Sequence, residues 1–255
     1  MKIVTWNVNS LKIRYEHLVL LIGQHNPDLI CLQETKCINE NFPERDLMNH
    51  GYKVYFTGQK TFNGVAILSK HPLENIVYSI PEIDDEQKRF ISGSLSIDNK
   101  NFNIVNCYFP NGQSLDSDKF IYKQYWINAL IKYLVKQEET ILVGDFNIAP
   151  HDIDCHDPEK WKNTVLTSDI ERDLFNQILD LGFIDTFRSL NADTSLFTWW
   201  DYRMNGYQRK MGLRIDHILA SSSIDLSDAS CKILEQFRGF ERPSDHAPVI
   251  LEFNP

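Results

Sequence analysis

The sequence is short of positive charge. Its 26 Lys and Arg residues are outnumbered by 35 Asp and Glu residues, which leaves a formal net charge of −9. Because phosphate binding requires a basic surface, this balance argues against a protein that coats nucleic acid non-specifically. A local basic strip remains: segment 203–214 contains Arg203, Arg209, Lys210 and Arg214 and no acidic residue. A basic strip on an acidic body is compatible with a polyanionic substrate.

Cysteine is scarce and unpatterned, and long apolar runs are absent. The five cysteines form no C-x-x-C pair, and Cys31 and Cys107 lie inside apolar runs, where reduced, buried thiols are expected. No apolar stretch approaches the ~20 residues of a membrane span. The start, Met1–Trp6, lacks the long apolar region of a signal peptide. We therefore expect a cytoplasmic protein with no membrane partner.

No Pro/Gly/Ser-rich linker, internal repeat or low-complexity stretch divides the 255 residues. The chain is 42% hydrophobic and 12% aromatic, so it can build a large core. The polar motifs described below run from Asn7 to His246, which requires both ends of the chain to meet at one site. We therefore expect a single domain over residues 1–255.

Short apolar runs alternate with helical patterns. Strand-like runs occur at 2–7, 28–33, 52–57, 64–69, 90–97, 102–108, 140–145, 214–220 and 248–253. Apolar residues at helical spacing occur at 11–25, at 117–136 after the candidate N-cap Ser117, and at 171–181 before the candidate C-cap Gly182. Many strands with interspersed helices predict sheets that pack face to face and are covered by helices.

Polar residues follow the strand-like runs at their ends. These are Asn7, Glu34, Tyr108, Asp145 and Asn147. A cleft at one edge of a sheet sandwich would collect them. Glu34 and Asn7 offer oxygen ligands, which favour Mg²⁺ or Mn²⁺ over zinc. Glu34 taken alone is equally well explained as a solvated carboxylate.

Asp145 and Asn147 lie two residues apart after the apolar run Ile141–Val143. Side chains at this spacing point to the same side of a strand, so both can reach one reacting atom. Asp145 is a candidate general base for an attacking water, which Asn147 would orient. A lone D-x-N pattern is, however, more often a turn than a site.

His246 lies in the sequence Ser244-Asp245-His246-Ala247-Pro248. A protonated imidazole there would stabilise negative charge on a phosphoryl oxygen, and Asp216 is the candidate acid that orients it. A single His is more often an ordinary surface or core residue. Together with the oxygen ligands, the pattern predicts metal-assisted phosphodiester hydrolysis.

Several motifs in order resemble the exonuclease III family of apurinic/apyrimidinic (AP) endonucleases. They are Trp6-Asn7-Val8-Asn9, Leu32-Gln33-Glu34-Thr35-Lys36, Tyr108-Phe109-Pro110-Asn111-Gly112, Gly144-Asp145-Phe146-Asn147, Gly212-Leu213-Arg214-Ile215-Asp216 and Ser244-Asp245-His246-Ala247-Pro248. The resemblance implies an α/β fold of four layers, with two packed mixed β-sheets flanked by helices. It also implies divalent-metal-dependent cleavage of DNA 5′ to abasic sites, with 3′→5′ exonuclease and 3′-end repair activity.

The resemblance also implies roles for individual residues. Asn7 and Glu34 match the metal site, which holds one or two ions; Asp145, Asn147, Asp245 and His246 match a second metal position. Asp145 and Asn147 match the residues that activate water, His246 and Asp216 the phosphate-contacting pair, and Tyr108 a catalytic tyrosine. The implied partner is duplex DNA with abasic sites or with recessed or blocked 3′ ends. A monomer is the default expectation because the sequence gives no contrary signal, and a cytoplasmic protein bound to DNA would lie at the nucleoid.

The expected DNA contacts follow from the same resemblance. Asn111 is placed near the cleaved phosphate and Arg89 on the DNA backbone, and the segment containing Arg203 grips phosphates. Trp199 with Leu213 is expected to wall a pocket for a sugar that lacks its base, because a normal nucleotide must be unstacked and does not fit. For the neighbouring Trp200, core packing is an equally good explanation.

Other interpretations stay open. His151, Cys155 and His156 resemble zinc ligands but lack a fourth ligand, so an ordinary loop is favoured. His217 alternates to the face opposite Asp216 and is expected to be structural. Phosphodiesterases of inositol phosphates, sphingolipid headgroups or RNA share the sandwich and the metal site. A non-catalytic DNA-binding protein would have lost a chemical residue, and none is missing.

Overall fold

A computed structural model of the protein describes residues 1–97 and 99–255. The strands are β1 (Lys2–Asn7), β2 (Leu29–Gln33), β3 (Lys53–Thr57), β4 (Val65–Ser69), β5 (Leu73–Val77), β6 (Phe90–Ile97), β7 (Lys100–Tyr108), β8 (Thr140–Asp145), β9 (Phe183–Asp185), β10 (Trp199–Trp200), β11 (Gly212–Leu213), β12 (Asp216–Ser221), β13 (Ser230–Ile233) and β14 (Val249–Glu252). The α-helices are α1 (Leu11–His25), α2 (Glu44–Asn49), α3 (Asp118–Leu134), α4 (Pro158–Trp161), α5 (Asp169–Asp180) and α6 (Thr186–Leu190).

Two mixed sheets form the centre of the fold. Within the described residues, one sheet has the six-strand order β13-β14-β1-β2-β4-β3 and the other the six-strand order β5-β6-β7-β8-β12-β9. Strand β1 runs parallel to β2, and β7 runs parallel to β8, while the other neighbours in both sheets are antiparallel. Strands β10 and β11 pair separately as a short ribbon. The two ends of the chain meet because β1 pairs with β14.

In the central strands, apolar side chains alternate between the core that lies between the two sheets and an outer core that lies under the helices. Ile3 of β1 and Val143 of β8 belong to the core between the sheets. Their neighbours face outward: Val4 packs with Leu18 of α1, and Leu142 packs with residues of α3 and α5. Helices therefore cover the outer faces of both sheets, and the predicted four-layer α/β sandwich is confirmed.

The same alternation directs polar side chains into one cleft. Asn7 follows Ile3 and Thr5 on the inward face of β1, and Asp145 follows Val143 at the end of β8. Asp216 starts β12 directly opposite Asp145 in the register, with Ile218 of the central core two residues further on. These polar side chains lie where the central apolar core ends, at one edge of the sandwich.

The three predicted helices are present. Helix α1 has the predicted bounds, and Ser117 caps α3 by accepting a hydrogen bond from the backbone N–H of Phe120 at 3.2 Å. Helix α5 begins at Asp169 rather than at residue 171, because Ser168 and Glu171 form a capping box there. Gly182 follows α5 with a φ of 93°, a conformation that suits glycine. None of the described helices has the length and apolarity needed to cross a membrane.

Candidate active site

Asp145 is the buried carboxylate at the centre of the cleft. Its Oδ2 accepts a hydrogen bond from Asn7 Nδ2 at 2.9 Å, and its Oδ1 accepts one from the backbone N–H of Asn147 at 2.9 Å. Burial, together with the nearby carboxylates of Asp216 and Glu34, raises the pKa of Asp145 to about 7, although His246 and Asn7 oppose the shift. A carboxylate with this pKa can take up a proton near neutral pH.

His246 is held by a second buried carboxylate. Its Nδ1 lies 2.8 Å from Asp216 Oδ2, and its Nε2 lies 3.7 Å from Asp145 Oδ2. Burial disfavours the charged ring, but the two carboxylates outweigh burial and raise the pKa of His246 to about 10. The ring is therefore an imidazolium at neutral pH, oriented through Nδ1 and able to donate through Nε2.

Glu34 and Asn7 form the side of the cleft next to Asp145. Asn7 Nδ2 donates to Glu34 Oε1 at 2.9 Å as well as to Asp145, and Asn7 Oδ1 accepts from the backbone N–H of Asn9 at 2.9 Å. The Asn7 amide oxygen thus faces away from the carboxylates in this arrangement. Glu34 is also paired with Lys36, whose Nζ lies 2.8 Å from Oε2.

Tyr108 ends β7 beside the same carboxylates. Partial burial of the phenol, together with the negative charges of Glu34 and Asp145, holds the pKa of Tyr108 well above its usual value. The phenol therefore keeps its proton and can act as a hydrogen-bond donor. Glu34, Tyr108, Arg89 and Asn111 line one groove of about 720 Å³, which places these predicted site residues together.

The predicted strand geometry at Asn147 is wrong. Strand β8 ends at Asp145, and Asn147 has a φ of 52°, so its side chain does not continue the alternation of the strand. Instead, Asn147 Nδ2 donates to the Phe109 carbonyl at 3.0 Å and Oδ1 accepts from Asn111 Nδ2 at 3.1 Å. A turn brings Asn147 beside Asp145, and it is the backbone N–H of Asn147 that contacts the carboxylate.

Asp245 lies at a different edge of the cleft. Its Oδ1 accepts from Asn9 Nδ2 at 2.8 Å, and its Oδ2 accepts from Trp199 Nε1 at 3.1 Å. Asn9 Oδ1 in turn accepts from Lys36 Nζ at 2.5 Å. The sequence interpretation gave no role to Asn9, although the spacing Asn7-x-Asn9 was the available signal.

A divalent cation fits the donor set at Glu34 and Asp145. Carboxylate and imidazole ligand atoms of Glu34, Asp145 and His246 lie within 4.8 Å of one another. Burial and the carboxylates of Asp216 and Glu34 raise the pKa of Asp145, so a cation bound here would favour its charged form. Within residues 1–97 and 99–255, Asp245 belongs to no such ligand group, and neither do His151, Cys155 and His156.

The residues predicted to contact DNA have different exposures. Arg203 has 87% of its side chain exposed and pairs with Asp201, whereas the guanidinium of Arg89 stacks 4.6 Å above the Tyr108 ring. Trp199 is half-buried and packs against Trp161, but Leu213 is fully buried behind it. In this structure Leu213 supports Trp199, and its place in a pocket wall stays a prediction.

Trp200, whose role the sequence left open, and His217, which was predicted to be structural, both pack into apolar surroundings. Trp200 is buried against Phe197 and Tyr207, in agreement with core packing. His217 faces the helices, packs against Phe146 and contacts the Ile148 carbonyl through Nε2 at 2.9 Å. The prediction that His217 lies on the face opposite Asp216 is confirmed.

The chain is similar to known nucleases over its whole length. It matches the model of the Endonuclease/Exonuclease/phosphatase family over residues 4–246. It is 36% identical to exodeoxyribonuclease III of Haemophilus influenzae, with 99% of this chain and 100% of that protein covered. Structures of Neisseria NExo, described as a 3′-5′ exonuclease and as a 3′ phosphatase bound to a product DNA hairpin, superpose with a TM-score of 0.95 at 41% identity over 100% of both chains. An AP endonuclease from Archaeoglobus fulgidus superposes with a TM-score of 0.93 at 35% identity, again over 100% of both chains.

Proposed function

The chain belongs to the endonuclease/exonuclease/phosphatase family and to its exonuclease III group, and we propose that it is a DNA-repair phosphodiesterase. It would cleave duplex DNA 5′ to abasic sites and process 3′ ends. One observation carries the proposal: the imidazolium of His246, bound to Asp216, faces Asp145 beside Glu34 in a single cleft. This arrangement joins a base, a cationic donor and a cation-binding acid, which are the groups that phosphodiester hydrolysis requires.

Asp145 is the proposed base. Without the cation its pKa of about 7 lies near the pH at which a base is most effective, and a bound cation would lower this pKa and keep the carboxylate ionised. The hydrogen bonds from Asn7 and Asn147 hold the carboxylate in place, so that it can accept the proton of a water directed at phosphorus. The side chain of Asn147, together with Asn111, is proposed to orient this water and the phosphate.

His246 is the proposed electrostatic donor. Its Nε2 proton would be donated to a phosphoryl oxygen, where negative charge grows in the transition state. A protonated ring has no lone pair for a metal, so the geometry favours the donor role over that of a ligand. Tyr108, which keeps its proton, would donate to the phosphate or to the leaving oxygen.

Glu34 and Asp145 are the residues proposed to hold the cation, with Mg²⁺ or Mn²⁺ preferred by their oxygen atoms. When bound, the cation would neutralise charge on the phosphoryl and leaving oxygens. Asn7 would serve as a ligand only after its amide turns; in the present arrangement it orients the two carboxylates. A second ion near Asp245, Asn147 and His246 is the alternative to a single one.

DNA is the proposed substrate because of both the surface and the relatives. The groove lined by Arg89 and Asn111 leads from Glu34, and the exposed Arg203 lies on the basic strip that was noted in the sequence. Arg214 does not belong to that surface, because it is buried in ion pairs with Asp154 and Asp185. The similar proteins are described as DNA nucleases, including an AP endonuclease and a 3′ phosphatase bound to DNA. We also propose that the chain acts as one domain, as a monomer and in the cytoplasm.

The deciding experiment measures strand cleavage of two duplexes. One carries a single abasic-site analogue, and the other has an undamaged recessed 3′ end; each is tested with Mg²⁺ and with EDTA. Metal-dependent incision 5′ to the lesion supports the proposal, and the ratio of the two rates ranks the two activities. If the folded protein with metal cleaves neither duplex, the proposal is wrong, and inositol phosphate, lipid headgroup and RNA substrates are tested next.

A further inference from the structure

A buried lysine lies beneath the two loops that carry Asn111 and Asn147. Lys123 projects from α3, and its Nζ donates to the backbone carbonyl of Asn147 at 2.7 Å and to that of Asn111 at 3.3 Å. Its remaining contact is an ion pair with Glu171 of α5. The side chains of Lys123 and Glu171 are both 0% exposed. All three ammonium protons therefore have partners in a place that water does not reach.

Glu171 extends the same contact to a third loop. Its Oε1 accepts from the backbone N–H of Leu166 at 3.0 Å, and its Oε2 accepts from the backbone N–H of Ser168 at 3.1 Å. Leu166 has a φ of 81°, a strained conformation for a non-glycine residue, and its carbonyl accepts from the N–H of Ala149 at 2.7 Å. One ion pair thus connects the Asn111 loop, the Asn147 loop and the segment 164–168.

The turn after Asn111 is shaped to fit this lysine. Gly112 has a φ of 95°, and a Cβ placed on it would lie 3.3 Å from Lys123 Cδ and 3.0 Å from Phe120 Cδ2. The loop therefore rests directly on the stem of Lys123. Above it, the side chains of Asn111 and Asn147 contact each other at 3.1 Å. Both the backbones and the side chains of these two residues are held at fixed separation.

A buried ion pair is a poor source of stability, because the cost of removing both charges from water offsets most of their attraction. Its position here suggests another use. We propose that Lys123 and Glu171 are positioning residues, which fix Asn111 and Asn147 relative to each other so that the water and the phosphate meet at Asp145. This inference rests on the proposed function. Lys123 touches no reacting atom and acts only through the two loops.

The test replaces both charges together, by Lys123→Met with Glu171→Gln, so that no unpaired charge stays buried. We expect a folded protein whose kcat falls by about 10–10²-fold, the size of effect expected when catalytic groups move by about 1 Å. The Kd for DNA should change much less than kcat. The same double replacement in an Asn111→Ala/Asn147→Ala background should have little further effect on kcat, because both positioned side chains are already absent.

Tyr133→Phe is the matched control. Tyr133 lies on the same helix and is also buried, and its hydroxyl is hydrogen-bonded to Ser92 Oγ at 2.9 Å, so the variant loses a buried contact without touching a site loop. Its kcat should equal that of the wild type. If Lys123→Met with Glu171→Gln does not fold, Lys123→Met with Glu171→Met replaces it with the same expectation.

The outcomes separate this inference from the proposed function. A wild-type protein that cleaves no duplex contradicts the function itself. An active wild type with an equally active, folded double variant overturns the positioning role. Losses of kcat that multiply independently with that of Asn111→Ala/Asn147→Ala also overturn it, since they would show that the ion pair acts through something other than these two side chains.

Discussion

Asp216 Oδ2 lies 2.8 Å from Nδ1 of His246, and no other hydrogen bond orients this ring within the described residues. The other oxygen of Asp216, Oδ1, is buried without a partner. The hydrogen bond to the imidazole is thus the one side-chain hydrogen bond of this carboxylate within the described residues. This contact does two things: it aims Nε2 into the cleft, and it keeps the ring protonated.

Asp216→Asn tests the charge of Asp216 while it preserves the size and shape of the side chain. The amide keeps the shape but removes the charge, so the pKa of His246 should fall from about 10. Because the proposed mechanism requires the protonated ring, the alkaline limb of the kcat–pH profile should move to lower pH, and kcat at pH 8 should drop. Asp228→Asn, which makes the same replacement at an exposed position outside the cleft, is the matched control. An alkaline limb that stays in place would exclude the charge on His246 from the mechanism.

The His246–Asp216 pair also links stability to pH. The folded pKa of about 10 lies above the unfolded value of about 6.5. The stabilisation is therefore fully present below about pH 6.5 and is lost as the pH rises through about 10. Asp216→Asn should flatten the decline of the melting temperature between pH 7 and pH 10, as measured by circular dichroism.

His246→Asn removes the donor itself. A preorganised donor to developing negative charge is typically worth about 10²–10³ in rate, so kcat should fall by that factor. DNA binding should change little, because the donor acts mainly in the transition state. The measurement is single-turnover cleavage together with a binding titration in EDTA. Unchanged turnover would remove His246 from the proposed mechanism.

Asp145→Asn should make the metal-free protein more stable while it abolishes cleavage. Burial raises the pKa of Asp145 to about 7, above the value of about 3.9 in an unfolded chain, so the wild type loses stability as the pH rises from about 4 to about 7. At pH 8 in EDTA the neutral amide should raise the free energy of unfolding by on the order of 1 kcal/mol. Added Mg²⁺ should stabilise the wild type more than the variant. An Asp145→Asn protein that is less stable than the wild type would contradict the inference that the buried, charged Asp145 destabilises the metal-free protein.

The sequence predicted the strands that are buried on both faces and the edge strand β3, but it missed the edge strands β5, β9 and β13. Runs such as Ile141–Val143 are continuously apolar because helices cover one face of the sheet and the second sheet covers the other. Strands β5, β9 and β13 carry no such signal: β9 has only three residues, and β5 is interrupted at Asn75, where φ is 51°. These three segments become strands because they pair with the edge of a sheet that the other strands form, and not because of their own apolar pattern.

The polar residues of the cleft were easier to predict from the sequence than the buried residues that hold the surrounding loops. Asn7, Asp145 and Asp216 stand at the ends of strongly patterned strands, so alternation alone places them on the inward face. Lys123 and Glu171 lie on helices whose surface positions normally carry such charges, and nothing in their spacing indicates that both are buried. At Asn147 the sequence allowed either a continued strand or a turn, and the φ of 52° that decides for the turn depends on the loops around it.

Glu34→Gln should raise the Mg²⁺ concentration required for half-maximal cleavage. Glu34 lies between Asn7 and Lys36 and is part of the ligand group with Asp145 and His246. The neutral amide keeps one oxygen but loses the charge that attracts a hard cation. Glu252→Gln, at the end of β14, is a matched control for the same replacement outside the cleft. An unaltered Mg²⁺ titration would show that Glu34 does not hold the metal.

Arg203→Gln should weaken DNA binding without affecting the chemical step. The guanidinium is exposed and is paired with Asp201, Nε lying 2.9 Å from Oδ2, so it must leave this partner before it can grip a phosphate. If it makes one phosphate contact, its loss should reduce the slope of log K against log salt by about 0.9. Asp201→Asn makes the opposite change, because it releases Arg203 from its ion pair, and should tighten binding at low salt. Both slopes can be measured by fluorescence anisotropy on the same duplex in EDTA, where cleavage does not interfere. Equal slopes for the wild type and both variants would show that Arg203 makes no phosphate contact. Phosphate contacts would then be expected only in the groove beside Arg89.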